Sequence, residues 1–179
     1  MILALVAGVV LGVASKLTDY VAPSWVGNSL ALWILVAFLV GRRARDVRTG
    51  ALHGATALVV ATASYYAYRV LVAQNISERW LVRASSFWMA LALPSGAISG
   101  GVAAAGDRAA WALPAGAFAG ETVLVLGRGG RALHAALAAV AAVVLGGVTR
   151  WNRRALLLAA AGSVTVVLTA LGYRALLRS

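Results

Sequence analysis

The sequence contains no cysteine and little charge, and each scarcity excludes a class of protein. Without thiols the chain has no disulfide scaffold, no thiolate nucleophile and no cysteine-bound iron–sulfur cluster. Only 12% of its 179 residues are charged, which is about half the share found in a soluble domain. Hydrophobic residues make up 62% of the chain. These values exclude a soluble enzyme and a disordered tail, and they indicate a compact multi-pass membrane protein.

Acidic residues are scarce as well, and almost all of the basic residues are arginine. Five acids stand against sixteen basic residues, which gives a formal net charge of +11. Such an excess in a soluble protein favours nucleic-acid binding, but here the arginines lie in short gaps between apolar runs. In that position they hold helix ends against anionic lipid headgroups. We therefore expect the lipid bilayer as a partner and no nucleic acid.

The charged gaps divide the chain into seven apolar runs. Most runs are close to the roughly 20 residues that cross the hydrocarbon core of a bilayer. An open strand cannot satisfy its backbone in lipid, so each span must be helical. The sequence predicts one all-α domain over residues 1–179, a bundle of seven transmembrane helices, or six if the short first run or one of the two runs that contain proline does not cross. The runs are residues 1–15, 29–41, 50–73, 84–105, 109–126, 132–148 and 155–172.

The density of arginine predicts the orientation of the bundle. The segment GRRARDVRTG at residues 41–50 is the densest short loop, and arginine-rich loops stay on the cytoplasmic side. The composition, rich in Ala, Gly and Arg and poor in Lys, is typical of GC-rich bacterial genomes. We expect a multi-pass protein of the bacterial cytoplasmic membrane, with the 41–50 loop inside.

Proline and small residues within the runs leave two local questions open. Pro94 and Pro114 fit either ordinary membrane helices or discontinuous helices that line a cavity. Ala4, Gly8 and Gly12 recur every four residues along the first run, so one face of that helix is narrow. This face either packs inside the bundle or docks another membrane subunit.

The sequence lacks the familiar catalytic and metal-binding motifs. It contains no phosphate-cradling GxxxxGK[ST] loop and no HExxH pair. His53 and His134 begin the third and sixth runs, which start on opposite sides of a seven-span bundle, so the two imidazoles cannot share a haem or a metal. We expect no cofactor and no metal, and we interpret each histidine as a hydrogen-bonding residue near the membrane surface.

Aromatic and charged residues gather at the end of the bundle opposite the 41–50 loop. Alternating topology brings together the end of the first run, the end of the third run and the start of the fourth. Trp and Tyr at this depth are typical of the interfacial aromatic belt. Acids and arginines among them are also typical of a polar ligand site under an aromatic lid. The candidate ligand-binding residues are Asp19, Tyr20, Trp25, Asn28, Tyr65, Arg69, Glu78, Trp80 and Trp88.

Glu121 is an acid well inside the fifth run. An acid in a span costs about 2.5–3.5 kcal/mol on insertion scales and usually faces a cavity or a partner. Thr165 and Thr169, one turn apart on the seventh run, are the candidate partners. Glu121 is therefore a structural hydrogen-bonding group, a carboxylate that couples to protons or cations, or, like Asp19, the proton donor of an enzyme.

Two resemblances bear on function. The stretch SWVGNSLALWILVAFLVGRRARDVRTGALHGA at residues 24–55 resembles small, uncharacterised multi-pass proteins of actinobacteria, a likeness that implies no activity. The short first helix, its small-residue face and the capping first loop are similar to the layout of substrate-binding S-components of energy-coupling-factor vitamin transporters. That likeness implies an outer ligand pocket and docking through the first helix. It covers layout alone, and a seventh span departs from the six-helix plan of those proteins.

Two functions of different classes follow. The first is solute binding or transport through an outward-facing polar and aromatic pocket. The alternative is a membrane-embedded enzyme acting on a lipid or isoprenoid, in which Glu121 or Asp19 donates a proton and aromatic rings stabilise cationic intermediates, as in a cyclase. A purely structural bundle that binds a partner is a third possibility. A cavity open to the outer surface favours the first function, and one open laterally to lipid favours the enzyme.

Overall fold

Apart from short turns and loops, the backbone is helical throughout the described residues. The computed structural model describes residues 1–20, 29–72, 77–126, 132–149 and 151–178, with side chains to residue 175 in the last range. No strand occurs within these ranges. These ranges contain seven α-helices and one short 3₁₀ helix, in chain order: α1 (Ile2–Thr18), α2 (Leu30–Gly41), α3 (Val47–Val72), α4 (Glu78–Ala104), the 3₁₀ helix (Arg108–Trp111), α5 (Ala112–Leu126), α6 (Ala132–Val148) and α7 (Arg153–Arg178).

Four helical segments are long and apolar enough to cross a membrane. They are α3, α4, the 3₁₀ helix together with α5, and α7 as far as Ala175. The helices α1, α2 and α6 are apolar but shorter, with 17, 12 and 17 residues. Large apolar side chains such as Ile2, Leu71 and Val143 are between 74% and 79% exposed. The predicted all-helical class is therefore confirmed, and the fold is compatible with a membrane protein.

The helices approach one another through small residues. Gly50 and Gly54 of α3 face Gly96 and Gly100 of α4, and these two helices form the most extensive contact of the fold. A Cβ atom added to Gly54 would lie 2.9 Å from Cα of Gly100, and one added to Gly96 would lie 2.8 Å from the Gly54 carbonyl carbon. Larger side chains would push the two backbones apart, so glycine at these positions sets their separation.

The small-residue face of α1 packs against α3. Ala4 is 1% exposed. A Cβ atom added to Gly8 would lie 2.6 Å from the Ala57 carbonyl oxygen, and one added to Gly12 would lie 2.9 Å from Cβ of Ser64. Of the two interpretations offered for this face, the contact shows packing inside the bundle. The narrow face of α1 is already occupied within the chain, because the backbone of α3 lies directly against it.

Neither proline interrupts a helix. Pro94 lies inside α4, which continues from Glu78 to Ala104. Pro114 lies in the first turn of α5, where a missing backbone N–H removes no intrahelical hydrogen bond. Of the two interpretations, the structure therefore shows ordinary helices at both positions.

Contacts between helix ends define two ends of the bundle. The arginine end comprises residues 41–48 and the junctions that precede α5 and α7. Here the Arg42 guanidinium lies 5.2 Å from the ring centroid of Trp111, and Asp107 pairs with Arg154. The opposite end, which we call the site end, comprises the last turns of α1, α3, α5 and α7 and the first turns of α2, α4 and α6. His53 lies toward the arginine end, with its Nε2 atom 3.1 Å from the Met1 amino nitrogen.

Candidate functional site

An open cavity of about 100 Å³ lies toward the site end, between α2, α3, α4 and α7. The helices α4 and α7 make few contacts with each other, which leaves space between them above α2. The cavity is large enough for several water molecules or a small ligand. Its lining residues are Leu30, Trp33, Thr62, Tyr65, Tyr66, Arg69, Trp88 and Tyr173.

One face of α3 supplies half of this lining. Thr62, Tyr65, Tyr66 and Arg69 follow one another at spacings that place them on the same side of a helix. The rings of Tyr65 and Tyr66 meet edge to face, with centroids 5.2 Å apart, a favourable arrangement for aromatic pairs. The Thr62 hydroxyl donates a hydrogen bond of 2.9 Å to the Leu58 carbonyl. The polarity of this face therefore increases from Thr62 toward Arg69.

Arg69 brings one positive charge to the cavity. Its guanidinium carbon lies 4.0 Å from the ring centroid of Trp80, well within cation–π range. A cation–π contact of this kind engages no N–H group as a conventional hydrogen-bond donor, so the five N–H donors of the guanidinium remain able to bind an acceptor. Among the described residues Arg69 forms no ion pair. The cavity therefore offers a fixed, planar cation to an incoming anion.

Asp19 is neutralised within the protein. Its Oδ2 atom lies 2.6 Å from Nζ of Lys16 and accepts a hydrogen bond of 3.0 Å from the Tyr65 hydroxyl. The ammonium of Lys16 also lies 5.0 and 5.4 Å from the ring centroids of Tyr20 and Tyr65. Asp19 therefore holds the Tyr65 ring at the cavity wall and brings no net charge there.

Lys16 is buried near the end of α1. An anchor that holds a helix end at the membrane surface would leave its charge in water, but Lys16 is only 7% exposed. The reason is that α1 extends to Thr18, beyond the predicted end of the run at residue 15. The extra turn carries Lys16 into the contact with α3.

The nine predicted ligand-binding residues fall into four groups. Tyr65, Arg69 and Trp88 line the cavity. Asp19 and Trp80 contact lining residues, while Tyr20 is exposed beside Lys16. Glu78 lies at the same end but is exposed at the start of α4, so the expected convergence of Asp19 and Glu78 on one ligand is not what the structure shows. Trp25 and Asn28 lie outside the described residues.

Sequence reasoning missed several lining residues. Thr62 and Tyr66 share a helix face with Tyr65 and Arg69, so helical spacing was a usable signal for both. Trp33 and Tyr173 belong to α2 and α7, and no local pattern indicated that these helices would meet α3. The ring centroids of Trp88 and Tyr173 lie 5.2 Å apart, and this contact forms the part of the cavity wall where α4 and α7 approach each other.

Glu121 forms a second buried polar cluster at the site end. Its Oε2 atom accepts hydrogen bonds of 2.9 Å from the Ser29 hydroxyl and from the Ala31 backbone N–H. Its Oε1 atom lies 2.6 Å from Nε2 of His134. The first N–H groups of a helix lack intrahelical partners and carry partial positive charge, which favours a carboxylate there. Glu121 therefore caps α2 and joins it to α5 and α6.

Glu121 was predicted to pair with Thr165 and Thr169, and this prediction is wrong. The helix α7 packs on another face of α5, where a Cβ atom added to Gly120 would lie 2.8 Å from Cα of Ser163. Glu121 follows Gly120 by one residue, which turns its side chain by about 100° toward α2 and α6. The Thr165 hydroxyl instead donates to the Ala161 carbonyl of its own helix, at 2.8 Å.

Comparison with known proteins identifies a family for the chain. No curated protein and no solved structure matches it. The sequence model of one family of unknown function matches residues 1–179. The chain therefore belongs to the family of unknown function DUF6518.

Proposed function

We propose that this chain is an integral protein of the bacterial cytoplasmic membrane that binds a small solute, as a component of a transport process. The observation that carries the proposal is the cavity of about 100 Å³. Arg69 lines it together with the rings of Tyr65, Tyr66, Trp88 and Tyr173. Ligand sites in proteins combine mostly apolar and aromatic walls with a few placed polar groups. This cavity has that composition.

The distribution of length and charge supports placing all seven helices in the bilayer. The short α2 is contacted by α1, α3, α4 and α5, and its 12 residues extend about 18 Å, less than the hydrocarbon thickness of about 30 Å. Its first turn then lies below the membrane surface, where Glu121 replaces water as the acceptor for its N–H groups. With the arginine end in the cytoplasm, the cavity opens toward the outside.

Solute binding has better support than the alternative, a lipid-acting enzyme. General-acid catalysis requires a carboxyl group within hydrogen-bonding reach of the substrate. Glu121 is directed at the first turn of α2, and Asp19 is shared by Lys16 and Tyr65. Neither carboxyl group is among the residues that line the cavity.

Native mass spectrometry of protein purified in a mild detergent tests the proposal. We expect the wild-type chain to retain a small molecule and Arg69→Gln to lose it. Arg79→Gln is the matched control, because Arg79 is exposed at the same end of the bundle and does not line the cavity. A molecule retained equally by Arg69→Gln would contradict the assignment of the site. A wild-type chain that neither retains nor binds any small molecule would contradict solute binding itself.

The absence of cysteine makes the orientation directly testable. Single cysteines at Tyr20→Cys and Arg45→Cys report on the site end and the arginine end. In intact cells we expect a membrane-impermeant maleimide to label Tyr20→Cys, and to label Arg45→Cys only after permeabilisation. The reverse pattern would place the cavity on the cytoplasmic side.

A further inference from the structure

The cavity continues inward along α3. A second cavity of about 40 Å³ shares the lining residues Leu30, Trp33, Thr62 and Trp88 with the first. The two cavities adjoin at these shared walls, and together we call them the cleft, which lies between α3, α4 and α7 with α2 along its base. From Arg69 at one end to Leu58 at the other, the cleft follows twelve residues of α3, which is eleven steps of 1.5 Å or about 16 Å.

The inner end of this cleft is apolar. No charged residue occurs among the described residues that line it. The hydroxyls of Thr62 and Thr165 donate to the carbonyl oxygens of Leu58 and Ala161, four residues earlier in their own helices. With these hydrogens engaged, neither donor is available to a ligand. Ser95 and Thr169 also line this end, but the wall that faces the space is almost wholly apolar. The inner end therefore suits hydrocarbon.

Among the described residues that line the outer end, Arg69 is the one that carries a charge. Lys16 and Asp19 form an ion pair beside Tyr65 and cancel each other, and the exposed Glu78 does not line the cleft. Arg69 is left with its N–H groups in a planar fork, a geometry that matches a carboxylate or a phosphate. One end of the cleft is thus cationic and the other hydrophobic.

From this polarity we infer that the ligand is an amphipathic monoanion, and this inference rests on the proposed solute-binding function. Its carboxylate or phosphate pairs with Arg69, and its apolar body lies between α4 and α7. The two cavities measure about 100 and 40 Å³, and a cavity of about 150 Å³ in another protein holds benzene. The apolar body is therefore about the size of one aromatic ring or a short branched chain.

Four probes separate the anionic head from the apolar body. They are 3-phenylpropionate, 3-phenylpropanol, 3-phenylpropylammonium and acetate, titrated into the full chain in uncharged detergent, with empty micelles as the blank. A charge-assisted hydrogen bond is worth about 1.5–3 kcal/mol, which corresponds to about tenfold or more in affinity. We expect 3-phenylpropionate to bind at least about tenfold more tightly than each of the other three.

Two pairs of variants test the two ends of the cleft. Arg69→Gln should make the affinities for 3-phenylpropionate and 3-phenylpropanol nearly equal, whereas Arg79→Gln should keep the preference for the acid.

Thr165→Leu fills the inner end and should weaken the binding of both aromatic probes without changing the ratio of their affinities. Thr122→Leu is its control, because the Thr122 hydroxyl also donates to the carbonyl four residues earlier and does not line the cleft. If Arg69→Gln does not fold, Arg69→Lys replaces it, and the acid preference should shrink because the planar fork is lost.

The outcomes distinguish this inference from the function on which it rests. Tighter binding of 3-phenylpropanol or 3-phenylpropylammonium would overturn the amphipathic anion and leave solute binding intact. A co-purified molecule that is neutral, cationic or wholly polar would do the same. If all four probes fail and no molecule co-purifies, both proposals are overturned. If the probes fail but a molecule co-purifies, its charge and apolar content decide the inference directly.

Discussion

The Oε1 atom of Glu121 lies 2.6 Å from Nε2 of His134, and both side chains are largely shielded from solvent. The other carboxylate oxygen accepts from Ser29 and from the backbone of Ala31. One side chain thereby connects three helices that follow different stretches of the chain. Because the same turn of α2 contains Leu30, which lines the cavity, this connection fixes one wall of the candidate site.

The Glu121 cluster predicts unequal effects of two substitutions. Glu121→Ala leaves a buried hydroxyl, a helix N–H and an imidazole without their acceptor, and we expect a loss of about 3–5 kcal/mol in the free energy of unfolding. Glu121→Gln keeps a carbonyl acceptor for α2 and should lose about 1–2 kcal/mol. Unfolding in detergent measures both, with Thr122→Ala as control. Equal stability of Glu121→Ala and Thr122→Ala would contradict the capping role.

Ligand binding and uptake by the Glu121→Gln variant distinguish a structural role of Glu121 from a role in coupling to protons. Because Glu121 does not line the cavity, we expect Glu121→Gln to bind ligand normally once it is folded. A folded Glu121→Gln variant that loses uptake would instead assign the carboxylate a role in coupling to protons.

The contact of α3 with α4 predicts a strong effect of one added methyl group. In Gly100→Ala the new Cβ would lie 3.0 Å from Cα of Gly54, so the helices must separate. We expect a loss of about 1–3 kcal/mol, the range for overpacking. Gly147→Ala is the matched control, because nothing lies within 4 Å of its added Cβ, and alanine in a helix should raise stability by about 0.5–1 kcal/mol. Thermal unfolding of both variants gives the comparison, and a neutral Gly100→Ala would contradict the close packing.

Removal of the Tyr65 hydroxyl tests its bond to Asp19. Tyr65→Phe keeps the ring but removes the donor, and the Asp19 side chain is 20% exposed, so water replaces part of the loss. We expect about 1 kcal/mol of destabilisation and weaker ligand binding, because the ring is no longer held at the cavity wall. Tyr68→Phe, at a half-buried position on the same helix, should change stability by less than about 0.5 kcal/mol. Identical unfolding of the two variants would argue against the Asp19 contact.

Asp46 predicts a small acid sensitivity at the arginine end. It accepts hydrogen bonds from the backbone N–H and the hydroxyl of Thr49, and these bonds hold the pKa of Asp46 below its usual value of 3.8. A carboxyl group whose pKa is lower in the folded state stabilises that state above its unfolded pKa. This contribution is lost as the pH falls through the folded pKa.

Asp46→Asn removes this titration while keeping a residue that caps helices well. We expect its unfolding temperature to fall less than that of the wild type between about pH 5 and pH 3. Scans at several pH values in uncharged detergent provide the measurement. If the unfolding temperatures of the two proteins fell in parallel as the pH is lowered, Asp46 would not contribute to the acid sensitivity.

Hydropathy located the helices better than it located their ends. The fourth run was predicted to begin at residue 84, yet α4 begins at Glu78, and α7 begins at Arg153 and extends to Arg178. Apolar runs mark the part of a helix that suits lipid, whereas hydrogen bonding continues through charged turns beyond it. For the same reason α1 continues beyond its apolar run and includes Lys16, whose side chain pairs with Asp19 beside the cavity.

The lengths of the apolar runs determined that the chain is helical. Helical spacing put Tyr65 and Arg69 on one face, and the cost of an acid within a span indicated that Glu121 needs a buried partner. These are properties of one helix and its composition. Only the tertiary structure decided that the partner is His134 and that the Gly8 face of α1 packs on α3. Helix pairing in a bilayer receives little help from the hydrophobic effect, because lipid is as apolar as the side chains. It depends instead on the complementary shapes of whole helix surfaces, which no single stretch of sequence contains.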